Sequence, residues 1–474
     1  MSNVLYVCID EMSARVFDDP LLAPLMPNIQ ALRTSGIYLT RCYASAPVCA
    51  PTRASWLTGL WPPEHGQLGN QWVLDSRYPM LTDQLREQGF ATACFGKLHT
   101  NGDESQGSGY GFDYLLNEHS GAAWTAAKQR WNCPTRPASQ YDPTEEAAWD
   151  AIETTTTIKF KGRMHPCEGR HADYVLAHEA MDWISAQPVV PWFCYVSLRM
   201  PHYQLDIPND AAYGGTDFYH RVQPGDVDLG TLLPPAPGSP AWAQQEAVKH
   251  YSQLTDYQVQ LYRARYLSAC AWVDRLVGDL VAHLATTGHD QDTVLVFATD
   301  HGDAASERRL FLKNTPFEES WRTPVVIRVP GYATRMGDYD GLVSVVDLLP
   351  TVAHLAGACV TSPRGLDLSV QILTDAPWLG RSEVYACDFG SYSGGVVSMA
   401  LQSVAFGQPG AEAKVTRYTA SPFPVGVVEG YDLVADPNEM AILDGTTPIG
   451  IEGAALLAAW QASWVPPLYP PVLG

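Results

Sequence analysis

The chain has 474 residues, 46% of them hydrophobic and 11% aromatic, enough for a large core and unlike a disordered polymer. Its 51 acidic against 30 basic side chains leave a formal net charge of -21, which excludes nucleic acid and anionic membrane as generic partners, because the long-range field repels both. It does not exclude a small anionic substrate, since a local cluster of Lys, Arg and metal overrides the mean field.

The N-terminus, Met1-Ser2-Asn3, carries no basic stretch and no small-residue cleavage site, so no signal peptide is expected. No apolar stretch approaches the roughly 18–20 residues of a membrane span. Ten scattered cysteines lack any Cys-x-x-Cys pair, and Cys8, Cys94 and Cys194 sit inside apolar runs, the pattern of buried free thiols in a reducing compartment. A cytoplasmic protein is the expectation.

Residues 4–9 read as a strand ending at Asp10-Glu11. Residues 80–88 read as a helix stopped by Gly89, and residues 90–95 as a strand ending at Gly96-Lys97-Leu98-His99. Residues 171–186 predict an amphipathic helix, and residues 192–196 a strand leading to Pro201-His202. A long helix follows over 257–287, with Leu261, Leu267, Trp272, Leu276, Leu280 and Leu284 on one side and Gly288 at its end. Residues 294–298 are a further strand, ending at Asp300-His301-Gly302-Asp303.

Continuous apolar runs suit central strands covered on both faces, and strands alternating with helices imply a largely parallel α/β sheet. In such sheets ligands bind beyond the carboxyl ends of the strands. Four polar clusters at four strand ends therefore converge on one crevice.

The segments 100–170 and 204–245, rich in Gly, Pro, Asp, Ser and Thr, read as long loops over that crevice. Trp124, Trp131, Tyr203 and Tyr219 within them are rings able to stack on a sugar. Beyond Gly357 the pattern becomes turn-rich, with strand-like pieces at 383–386, 396–406, 415–418 and 426–433 and an extended proline-rich tail at 466–474. The expected division is a catalytic domain at 1–360 and a smaller α+β subdomain with an antiparallel sheet at 361–474.

The segment Cys49-Ala50-Pro51-Thr52-Arg53-Ala54-Ser55-Trp56-Leu57-Thr58-Gly59 resembles the signature of the type I sulfatases, C-x-P-x-R followed by A-S-x-L-T-G. Gly89-Phe90-Ala91-Thr92 with Gly96-Lys97-Leu98-His99 is similar to a second element of that family. Asp300-His301-Gly302-Asp303, the stretch from Lys313 to Pro324, and Tyr431-Asp432-Leu433 with Asp436-Pro437 and Glu439 resemble three more. The resemblance spans nearly the whole chain. It implies an alkaline phosphatase-like fold: a large, mixed but mostly parallel sheet between helices, with a smaller antiparallel sheet behind it.

Sulfate ester cleavage needs a nucleophile, neutralised sulfuryl oxygens and a protonated leaving oxygen. The resemblance implies that Cys49 is oxidised by a formylglycine-generating enzyme to formylglycine (3-oxoalanine), whose hydrate is the nucleophile. A divalent metal, calcium first and manganese or magnesium as alternatives, is expected at Asp10, Asp300 and His301, completed by the side chain at position 49. Glu11 stands where the family commonly has Asp or Gln, so direct, water-mediated and absent ligation all stay open.

Arg53 and Lys97 are expected to hold and polarise the hydrate, and His99 to take a proton as sulfate is released. Lys313 and His202 are expected to contact the sulfuryl group, one of them protonating the leaving alcohol. A helix starting after Pro51 would add its positive end. Asn70 is a candidate pocket residue, although a loop asparagine also suits a turn, and Arg322 is an anchor for Glu318 or Glu319. His301, where many arylsulfatases have Asn, is similar to the iduronate-2-sulfatase, choline sulfatase and phosphonate monoester hydrolase branches.

Three functions compete. The first is hydrolysis of a sulfate monoester of a small molecule or oligosaccharide, expected to be a sugar. The second is hydrolysis of a phosphonate monoester or phosphodiester with the same nucleophile. The third is a silent anion-binding module in which Cys49 remains a thiol.

Overall fold

The structure, a computed structural model, describes residues 1–75, 77–100, 111–131, 142–156, 162–165, 169, 171–187, 191–213, 215–331, 336–374, 376, 380–389, 399–420, 424–464 and 472–473. Cys133, Cys167, positions 396–398 of an expected strand, and 466–471 and 474 of the tail lie outside the described residues.

In chain order the main elements are β1 (Asn3–Ile9), β2 (Ile37–Tyr43), α1 (Cys49–Thr58), α2 (Leu81–Glu87), β3 (Ala91–Gly96), β4 (Tyr114–Leu116), α3 (Gly121–Arg130), α4 (Glu146–Thr156), α5 (Ala172–Ser185), β5 (Trp192–Leu198), α6 (Pro240–Lys249) and α7 (Asp256–Thr287). They continue with β6 (Thr293–Thr299), β7 (Val325–Arg328), β8 (Gly337–Ser344), α8 (Leu348–Leu355), β9 (Glu383–Phe389), β10 (Met399–Phe406), β11 (Ala413–Tyr418), β12 (Val428–Asp432), β13 (Leu443–Asp444) and α9 (Pro448–Ala462).

Eight strands form the large sheet in the order β8-β2-β7-β6-β1-β5-β3-β4. β7 alone among them runs antiparallel to its neighbours. Every residue of β1, β5 and β6 is buried. The reason is visible in β1, where Leu5, Val7 and Ile9 enter one hydrophobic cluster while Val4, Tyr6 and Cys8 enter another on the opposite face. Alternate residues thus meet two separate cores, so both faces need apolar side chains and the run is unbroken. The thiols of Cys8, Cys94 and Cys194 are buried in those layers.

The long helix α7 begins with a capping box. Thr255 Oγ1 accepts from Gln258 N, and Gln258 Oε1 accepts from Thr255 N across 2.8 Å. It ends at Gly288 in the left-handed region.

One reading needs correction. The segments expected as loops contain helices α3, α4 and α6. Their apolar signal is short, Trp124 with Ala127 in α3 and Trp149 with Ile152 in α4, and is hidden between Gly-, Pro- and Asp-rich flanks. The C-terminal strands pair antiparallel in the order β9-β10-β11-β12-β13, as expected of an α+β subdomain, and helix α9, to which no residues had been assigned, covers them. Thr447 caps α9, and Leu457 and Trp460 pack with Val415 of β11. Among the described residues no helix is long and apolar enough to cross a membrane.

Candidate active site

The carboxyl ends of β1, β3, β5 and β6 meet as the topology requires. β1 delivers Asp10 and Glu11, β3 delivers Lys97, β5 leads to His202, and β6 delivers Asp300 and His301. Two glycines allow this crowding. A Cβ on Gly96, whose φ is +105°, would lie 2.1 Å from the Ser197 carbonyl oxygen, and one on Gly302 would lie 2.0 Å from that of Glu319.

Cys49 is the first residue of α1, three positions earlier than the helix start expected after Pro51, so its side chain stands at the positive end of a wholly buried helix. Its Sγ lies 3.0 Å from His301 Nε2, 3.1 Å from Lys313 Nζ and 3.6 Å from Asp10 Oδ1. Burial pushes this thiol up, but Lys313 first, then Lys97 and His301, hold it well below the ordinary cysteine range.

Arg53 lies one helical turn beyond Cys49 and is fully buried. Its Nε donates to Asp300 Oδ2 (2.8 Å), and its Nη1 donates to Ser197 Oγ (2.7 Å) and to the Lys97 carbonyl (2.6 Å). The guanidinium therefore braces strand ends and carboxylates. Lys97 Nζ pairs with Asp10 Oδ2 at 2.5 Å. Burial lowers this amine, but Asp10 and Cys49 outweigh it and hold it above the usual lysine value.

Lys313 Nζ donates to Glu11 Oε2 at 3.0 Å. Burial works against its charge, yet Cys49 and Glu11 hold it well above the usual lysine range. His202 Nε2 lies 3.4 Å from the same Glu11 oxygen, and its ring stacks on Tyr203. Burial, then Lys313, depress His202 to about 4.

Asp10, Cys49, Asp300 and His301 are all buried and each offers a ligand atom within 4.8 Å of the others. His301 Nδ1 donates to the Gly302 carbonyl (2.9 Å), so Nε2 is the ring atom that could coordinate an ion. Burial pushes His301 down, but Asp300 and Cys49 bring it up to about 9. Glu11 Oε1 is buried with no hydrogen-bond partner among the described residues, and burial drives this carboxyl well above its usual range. Buried hard oxygen donors with one imidazole, and an orphaned carboxylate oxygen beside them, fit a divalent cation, whose charge would take the place of the imidazole proton.

Two expected residues are placed differently. Asn70 Oδ1 accepts from Ala50 N at 3.1 Å and so caps α1. His99 adopts φ +58°, and its carbonyl accepts from Gln67 Nε2 at 3.1 Å. Its Nδ1 is buried without a partner among the described residues, and no hydrogen bond or ion pair joins it to Cys49 or the carboxylates.

Among the aromatic candidates, Tyr219 is a core residue whose hydroxyl donates to Glu145, and Trp131 donates to Glu179. Arg322 pairs with Asp18 (2.7 Å) and with Glu318 (3.4 Å).

A cavity of about 220 Å³ opens beside Lys97 and His202, walled by Asn117, Glu118, His119 and Arg199. A second, of about 170 Å³, shares Glu118 and Arg199 and adds Trp124 and Lys128. Asp303 and Ser197 were missed as supporting residues. Asp303 Oδ1 accepts from Ala305 N (2.6 Å) and Leu312 N (3.0 Å), closing the loop before Lys313, and its place in Asp300-His301-Gly302-Asp303 was the available signal.

The family model described as Sulfatase matches residues 2–358. Arylsulfatase K of Danio rerio is 27% identical over 370 residues, which cover 75% of this chain and 64% of that protein's length. A choline-sulfatase of Rhizobium meliloti is 26% identical over 482 residues, covering 97% of this chain and 85% of that one. The phosphonate monoester hydrolase of Agrobacterium radiobacter shares the fold at a TM-score of 0.75, with 21% identity and full coverage of both chains.

Proposed function

Because this chain belongs to the sulfatase family, within the alkaline phosphatase superfamily, we propose that it hydrolyses a sulfate monoester, of a sugar, at the crevice around Cys49. The observation that carries this reading is the meeting of Cys49 Sγ with His301, Lys313 and Asp10 at the N-terminus of a buried helix.

In this reading a formylglycine-generating enzyme oxidises Cys49, and the resulting aldehyde hydrate supplies an oxygen nucleophile where Sγ now stands. Asp10, Asp300, His301 and the side chain at 49, with Glu11 beside them, would hold a divalent ion, calcium first, which would supply charge neutralisation to the sulfuryl oxygens. Arg53 and Lys97 fix the carboxylates that face the nucleophile. Asn70 caps the helix under it rather than reading substrate.

Lys313 faces the reacting position with its proton in place, so it serves as the donor to the leaving alcohol oxygen. His202, depressed to about 4, is neutral at physiological pH and orients the ester from the cavity side. His99, through the unpartnered Nδ1, takes up a proton as sulfate leaves. The leaving group extends into the cavity lined by Glu118 and Arg199. The division at 1–360 and 361–474 and the cytoplasmic compartment belong to the same proposal, the latter supported by the buried free thiols.

Side-by-side turnover of an aryl sulfate and an aryl phosphonate monoester tests it. Faster sulfate cleavage supports the reading, whereas faster phosphonate cleavage replaces it with the second hydrolase. No turnover, with Cys49 shown to be an intact thiol, leaves an anion-binding module.

A further inference from the structure

The segment that delivers Lys313 is held in an unfavourable backbone conformation. Ala305, Ser306, Arg308, Arg309, Leu312 and Asn314 all have positive φ, between 48° and 76°, where a Cβ is disfavoured. Such a run persists only when its surroundings over-determine it. Asp303 ties one side, through Ala305 N and Leu312 N.

The other side is tied by the C-terminal part of the chain. The Glu439 side chain, 1% exposed, accepts from the backbone N of Glu318 (2.9 Å) and lies 3.5 Å from Arg308 Nη2. It also pairs with Lys414 of β11, likewise 1% exposed, whose Nζ donates to the Pro316 carbonyl (2.7 Å) and to Glu318 (3.1 Å). Arg308 in turn donates to Glu319 (2.7 Å) and to the Asn438 carbonyl (2.7 Å), with its guanidinium over the Phe317 ring. A buried charge network therefore grips the chain five residues before Lys313 and three to six residues after it.

We propose that Glu439 is a positioning residue for Lys313, holding the strained segment 304–321 so that the ammonium stands over position 49. This rests on the reading of Lys313 as a group that meets the ester. It also gives a task to Tyr431-Asp432-Leu433…Asp436-Pro437…Glu439, a motif far in sequence from the nucleophile.

A double-mutant cycle tests it, using 4-nitrophenyl sulfate and the full chain, with kcat and KM expressed per folded protein. Glu439→Gln is expected to lower kcat about tenfold with a smaller change in KM, and to have less than a twofold effect in the Lys313→Ala background. Equal losses in both backgrounds, or no loss in the first, overturn the proposal. If Glu439→Gln does not fold, Lys414→Arg carries the same cycle with the same criteria. If the wild-type protein cleaves no aryl sulfate, the functional reading fails, and hydrogen exchange over residues 304–321 decides the inference independently. Faster exchange confined to that segment supports it, and unchanged exchange overturns it.

Discussion

Arg53 Nε donates to Asp300 Oδ2 across 2.8 Å, and both side chains are fully buried. The pair joins the helix that carries Cys49 to the end of β6, so Cys49 and the Asp300 carboxylate share one anchor. A buried ion pair costs desolvation on forming, and it leaves an uncompensated charge when one partner is lost.

Arg53→Leu is therefore expected to destabilise the fold by about 3–5 kcal/mol, read as a fall in the urea midpoint at unchanged slope. A change below about 1 kcal/mol would mean that Asp300 finds another partner and that Arg53 is not the anchor.

Lys313→Ala removes the proposed proton donor. Its kcat is expected to fall by about 10²–10³ with a nitrophenyl leaving group and by more with an alkyl one, because the poorer leaving group depends more on protonation. Equal losses for both leaving groups would assign Lys313 to charge neutralisation alone. His202→Asn should show the weaker leaving-group dependence of the two.

Chelation should both inactivate and destabilise. With the ion at about a hundred times its dissociation constant, its removal costs about 3 kcal/mol, visible as a lower Tm that calcium restores. The Asp300→Ala protein should show neither the loss nor the recovery. An EDTA-insensitive Tm in the wild type would remove the metal from the account.

His65 and His171 are buried and depressed to about 3 and about 4, in each case chiefly by burial. A depressed folded-state value means that the unfolded chain takes up protons first. The stability these rings contribute is complete above about 6.5 and is lost as pH falls toward 4, on the order of 3–5 kcal/mol each. The stability gap between wild type and His65→Gln should accordingly narrow from pH 7 to pH 4. A gap independent of pH would show that this ring is not held neutral by the fold.

The sheet and the site were legible for one reason. Strands buried on both faces need unbroken apolar runs, so Val4 to Ile9 and Val294 to Ala298 announce themselves, and the polar residues that end them must lie at the same edge. Asp10, Asp300, His301, Lys97 and His202 follow from that edge.

Other features depend on tertiary contacts that one sequence does not display. Asn70 looks the same as a pocket residue or a cap until Ala50 N is seen to donate to it. Tyr219, set among loop residues, turns inward because Glu145 and Arg265 are waiting for it. Helix α9 was hidden because residues 448–462 carry little periodicity, with alanines and Ile451 on the outer face and a buried face in which Gly450 and Gly453 stand beside Leu457 and Trp460.

The most direct measurement is aryl sulfate turnover as a function of the fraction of Cys49 converted to formylglycine, that fraction read from the mass of the peptide spanning Cys49. Turnover should rise in proportion to conversion and vanish in Cys49→Ala. Turnover that is independent of conversion, or absent when conversion is complete, would contradict the account.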